Sequence, residues 1–175
     1  PDANTTGVTQ TVSSNLSGLV TQIQVNLNLT HSWVGDLIVR LSYNDGNSTQ
    51  TADLISRVGR STSSLAPTVT GSPFGSSRAL AGSYNFGDQF SATMWGGTGT
   101  MPTNVFTPNA FDAGPGNGYR ATTNSAAVQP AGGTVVNLNA IFGGMGATGT
   151  WTLFVADYGG GDTGAVASWS VTILP

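Results

Sequence analysis

The chain has no cysteine, so disulfides, thiol catalysis and cysteine–zinc sites are all excluded. Glutamate and lysine are also absent: the eight acidic residues are all Asp and the five basic ones all Arg. Charged residues are 7% of the 175, against roughly 25% in an ordinary soluble domain. A formal net charge of −3 with no run of Arg leaves out the basic footprint that a nucleic-acid binder needs. No apolar stretch approaches the roughly 20 residues of a membrane-spanning helix. Strong helix formers are scarce, which excludes a helical bundle.

What is present favours turns and strands. Gly occurs 25 times, about twice its usual share of roughly 7%, and Thr, Ser and Asn together supply 55 residues. These residues favour turns and caps, and Thr also favours strands. Apolar residues make up 38%, including four Trp and seven Phe, enough for a substantial core. At roughly 100–200 residues per domain, 1–175 is expected to be a single domain. The composition suits a secreted bacterial all-β module, and localisation outside the cell is the expectation.

Alternation locates the strands. Ile23, Val25, Leu27 and Leu29 alternate with Gln22, Gln24, Asn26 and Asn28, placing one apolar face on a half-buried strand. Thr30–Asp36 reads as a turn, followed by a second strand carrying Leu37, Val39 and Leu41, and the two strands are expected to pair. Asn44-Asp45-Gly46-Asn47 is a strong turn signal. A third strand is expected at Thr51–Ser56. Phe86, Phe90 and Met94 recur at a spacing that fits either one helical turn or an irregular segment. Near the C-terminus, Val135–Phe142 reads as a strand. Trp151, Leu153 and Val155, then Trp169, Val171 and Ile173, form two alternating runs joined by the Gly-rich turn Tyr158–Gly164, which reads as a hairpin. Two stretches, 58–81 and 95–133, are expected to be enlarged middle loops with short strands. Strands at both ends point to a β-sandwich or jelly roll.

The catalytic vocabulary is thin. His31 is the one histidine, no G-x-S-x-G occurs, and beside Trp33 the imidazole is expected to anchor a turn. Asp162-Thr163-Gly164 spells the aspartic-protease triplet, but no second copy supplies the partner carboxylate. With no Glu, carboxylate pairs for glycoside hydrolysis are poorly supplied. Calcium is the stronger candidate, because it takes oxygens from Asp, Asn and turned-in carbonyls. Asp157 and Asp162 flank Tyr158-Gly159-Gly160-Gly161, Asp36 follows Gly35, and Asp88 follows Gly87. The alternative is that these carboxylates bond nearby backbone amides as turn formers. A glycan-stacking platform would need exposed aromatics, with Trp95, Phe106 and Tyr119 the candidates.

The phrase I-Q-V-N-L-N-L-T-H-S-W-V-G-D-L-I-V-R-L, Ile23 to Leu41, resembles the P domain (Homo B domain) of kexin- and furin-like proprotein convertases, in its bacterial form. A second block, G-T-W-T-L-F-V-A-D-Y-G-G-G-D-T-G-A-V-A-S-W-S-V-T-I-L from Gly149 to Leu174, is similar to that family's closing segment, preceded by Phe142-Gly143-Gly144. Val171 stands where the family has Leu, and the middle of the chain is longer than the family's. The resemblance implies an eight-stranded, galactose-binding-like β jelly roll with a non-catalytic role. It also implies a calcium ion held by Asp36, Asp157 and Asp162. The family's peptidase activity belongs to a subtilisin-like domain whose motifs are missing from this sequence. The expected partner is an adjacent domain of a longer precursor or another secreted protein, with glycan as the alternative. The chain itself is expected to be monomeric.

Overall fold

A computed structural model of the chain describes residues 2–58, 79–91, 94, 118–124 and 133–175. Among these, the strands are β1 (Val8–Leu19), β2 (Gln22–His31), β3 (Leu37–Asn44), β4 (Thr49–Ser56), β5 (Leu80–Gly87), β6 (Gly118–Tyr119), β7 (Ala121–Asn124), β8 (Gly133–Val136), β9 (Gly146–Asp157) and β10 (Gly164–Leu174). A 3-10 turn, Val34–Asp36, precedes β3, and a five-residue helix α1, Leu138–Phe142, precedes β9. The protein is all-β.

Two four-stranded sheets, β1-β9-β3-β4 and β10-β2-β5-β6, share one hydrophobic core, and β7-β8 form a separate ribbon. Pairing is antiparallel except for the two-residue contact of β5 with β6. The alternation read in β2 faces that core: Ile23, Val25, Leu27 and Leu29 are buried, and β10 and β5 flank the strand. From the other sheet come Leu37, Val39, Leu41, Tyr43, Trp151 and Leu153. Each fully buried aliphatic side chain contributes about 1.5–3 kcal/mol. Trp151 stacks on Tyr43 at 4.0 Å between ring centroids and meets Phe142 edge-on at 5.1 Å.

The β3–β4 hairpin forms where its turn signal lies, and β4 covers the strand expected at Thr51–Ser56. Asp45 accepts the N–H groups of Asn47 and Ser48, while its other oxygen reaches Gly146 N–H at 3.0 Å. The hairpin is thereby tied to the start of β9. Just past the end of β5, both Asp88 oxygens accept N–H groups at the start of α1, from Leu138 at 3.0 Å and Asn139 at 2.8 Å.

Three local expectations are corrected and one open choice is resolved. β2 and β3 do not pair; Thr30 and His31 still belong to β2, and Ser32–Asp36 carries the chain from one sheet to the other. The same holds for β9 and β10, which flank a crossover and not a hairpin. Val135–Phe142 divides into the end of β8 and helix α1, because Asn137 caps a helix by accepting Ala140 N–H at 2.9 Å. Phe86 lies in β5, so Phe86, Phe90 and Met94 share no helical turn. Strand β1 has no counterpart in the sequence reading. Of the enlarged middle loops, most of 58–81 and 95–133 lies outside the described residues, as do Trp95 and Phe106.

Candidate functional site: a buried clasp between two turns

The turn after β2 and the turn after β9 meet at one end of the molecule. Leu37 and Asp157 are register partners, so the start of β3 lies beside the end of β9. Tyr158 N–H donates to the Asp36 carbonyl at 2.8 Å, extending the contact past the last ladder pair. Ser32 N–H donates to Thr163 carbonyl at 3.3 Å on the other side.

His31 is buried at the end of β2 and anchors its turn. Its Nδ1 accepts Trp33 N–H at 3.1 Å. That bond assigns the ring proton to Nε2, which faces Asp157 Oδ2 at 3.2 Å. The other Asp157 oxygen accepts Gly159 N–H at 3.0 Å. Both imidazole nitrogens are thus engaged, one by backbone and one by carboxylate.

Asp36 is buried against a cation. Arg57, at the end of β4 with a side chain only 3% exposed, places Nη2 3.5 Å from Asp36 Oδ1. Its Nε donates to Gly35 carbonyl at 3.2 Å, and its guanidinium carbon lies 5.4 Å from the centre of the Tyr158 ring. Arg57 takes a positive φ of 44°, a conformation costing a non-glycine residue about 1–3 kcal/mol. Those side-chain contacts offset it. Gly159 closes the clasp: a Cβ there would overlap Asp36 Oδ2, so no larger residue fits while Arg57 holds Asp36 in place. Asp162 is placed differently, in the exposed part of the loop, where it accepts Ser32 Oγ–H at 2.6 Å.

The three carboxylates expected to share a calcium ion are gathered at this end but do not form a common cage. Asp36 faces Arg57, Asp157 faces His31, and Asp162 faces Ser32. A dication placed at Asp36 would stand beside a buried guanidinium, where repulsion opposes it. Among the described residues, no group of three or more His, Asp or Glu side chains could hold a metal ion. As placed, the set does not fit calcium, and Asp157 acts as the turn former of the alternative reading. Asp88, the further acidic candidate, holds α1 and Arg120 at a distance from the clasp.

A cleft of about 300 Å³ opens beside the clasp, lined by Val8–Gln10, Leu29–His31, Leu37, Val155, Asp157 and Gly164–Val166. It separates the edge strands β1 and β10, with His31 and Asp157 at its polar end. Among the described residues, no Phe, Tyr or Trp lines it. Tyr119, a candidate for an exposed platform, is instead buried beside Tyr84 and Phe86.

Sequence reasoning missed Arg57 and Tyr158. A signal for Arg57 existed, since it lies between Leu54-Ile55-Ser56 and Val58, a largely apolar stretch where a cation needs a buried partner. Comparison of the chain with family models, with curated proteins and with solved structures returned no match.

Proposed function

We propose that the chain is a P domain, a non-catalytic module that stabilises a domain joined to it in a longer secreted precursor. One observation carries the reading. The two blocks that resemble the family, T-H-S-W-V-G-D-L and D-Y-G-G-G-D-T-G, lie more than a hundred residues apart, yet they build the same clasp through His31–Asp157, Asp36–Tyr158 and Ser32–Asp162. A shared structural role explains why both blocks carry those residues. The jelly-roll form of the fold belongs to the same reading. It is supported by the crossovers β1–β2, β2–β3, β4–β5 and β9–β10, each of which changes sheet.

Within this reading the histidine and the aspartates are structural. The clasp positions two loops rather than a substrate, and the adjacent end of the sandwich is the surface offered to a neighbour. The glycan alternative draws nothing from the described aromatics. The test is to express the segment encoded next to this chain with and without it, and to follow that neighbour's thermal inactivation. A neighbour that loses stability when the chain is removed, and again in Asp157→Ala, is expected. A neighbour indifferent to both changes, or a gene that encodes no further domain, would overturn the proposal.

A further inference from the structure

Strand β1 is the free edge of its sheet: among the described residues it pairs only with β9. Edge strands ordinarily carry a charge, a proline or a strong bulge that discourages further pairing. From Val8 to Leu16 the strand reads V-T-Q-T-V-S-S-N-L, with no charge and no proline, and its register with β9 is regular from Val8 to Asn15. Its one irregularity comes later, between Asn15 and Leu19.

The apolar residues of this edge are left uncovered. Val12 is opposite Trp151 and Gln10 opposite Leu153, so the even-numbered residues share the core side of the sheet. The facing sheet ends at β10 and does not cover them. Val8, Val12 and Leu16 are accordingly 45%, 43% and 44% exposed, a row of aliphatics along the open seam of the sandwich.

We propose that this edge pairs with the same edge of a second copy, antiparallel, about a two-fold axis through Val12. The occupant follows from the order of residues. About Val12 the strand reads alike in both directions: Val8 would face Leu16, Thr9 would face Asn15, Gln10 would face Ser14 and Thr11 would face Ser13. Opposed pairs share a face, so the aliphatics of both copies join in one row on the core side. The polar pairs are neutral hydrogen-bonding residues and bring no like charges together. A two-fold interface requires a self-complementary patch, and this strand is one. The result is a continuous eight-stranded sheet, β4-β3-β9-β1 followed by its mirror order. The inference rests on topology, exposure and residue order, and is independent of the P-domain reading. It differs from the monomer expected alongside the P-domain resemblance.

Sedimentation equilibrium of the purified chain tests it, with an expected mass twice the 17.7 kDa of one copy. Val12→Lys and Val12→Asp each set like charges opposite one another and are expected to leave monomers. An equimolar mixture of the two is expected to restore the dimer. Because the chain has no cysteine, Val12→Cys is expected to give a disulfide-linked dimer under mild oxidation, whereas Val8→Cys alone is not. Near-ultraviolet circular dichroism confirms that each variant is folded, and the conservative Val12→Cys supplies the readout if a charged variant is not. A monomer at every concentration would overturn the proposal. So would a dimer that both charged variants leave intact, or one that Val12→Cys fails to link.

Discussion

At the scale of single residues, Arg57 decides how the clasp is balanced. It is the cation beside Asp36, the donor to Gly35 and the partner of the Tyr158 ring. Removing one partner of a buried ion pair costs about 3–5 kcal/mol, because the other charge keeps its desolvation penalty. Arg57→Ala is therefore expected to lose about that much in urea unfolding, and Arg57→Lys to recover only part of it. Asp45 makes a prediction of a different kind. Backbone N–H groups of Ser48, Asn47 and Gly146 hold its carboxyl below the usual aspartate value of 3.8. A carboxyl depressed by folding stabilises the fold above its unfolded pKa, and that contribution fades as pH falls through the lower, folded value. The urea midpoint of the native chain should exceed that of Asp45→Ala near neutrality, and the gap should narrow below pH 3.8. The Asp45 turn was legible in the sequence because its contacts with Asn47 and Ser48 are local. The role of Arg57 was not, because Asp36 and Gly35 lie 21 and 22 residues away and Tyr158 lies much farther along the chain.

At the scale of elements, strand parity explains both what was read correctly and what was not. Strand β2 alternates without interruption, and its buried face matched its apolar set. In β10 the register shifts between Val166 and Ser168, leaving Ala167 as an extra, unpaired residue. Val166 and Trp169, three apart, therefore face the same core, opposite Leu29 and Leu27. Deleting Ala167 should remove the bulge and keep every later side chain on its own face. Deleting Ser170 should turn Val171 and Ile173 outward. The second deletion is expected to be the worse by on the order of 2 kcal/mol in unfolding free energy, taking these residues as only partly buried. Equal losses would show that parity in β10 does not matter. Strand β1 escaped the sequence reading for a related reason: it is an edge, exposed on nearly its whole length. A strand exposed on both faces carries little of the alternation that burial imposes.

At the scale of the whole molecule, the clasp and the Asp45 and Asp88 anchors join distant parts of the chain through side-chain and backbone contacts. Thermal unfolding is expected to be the same in EDTA and in excess calcium. A ligand bound only to the folded state would add about 2.7 kcal/mol at a hundred times its dissociation constant. A calcium-dependent rise of that order, lost in Asp36→Ala or Asp162→Ala, would show that the three aspartates rearrange around an ion. Composition and alternation alone determined that the protein is all-β, that β2 has one buried face, and that Asn44–Asn47 turns the chain. These follow from interactions between residues close in sequence. Only the tertiary structure decided that β9 and β10 belong to different sheets, that His31 meets Asp157 and that Asp36 is balanced by Arg57. The reason is physical: a Gly-rich turn permits either a hairpin or a crossover, and long-range packing makes the choice. A buried carboxylate must likewise find a donor or a cation, but local sequence does not say which of them the fold will bring to it.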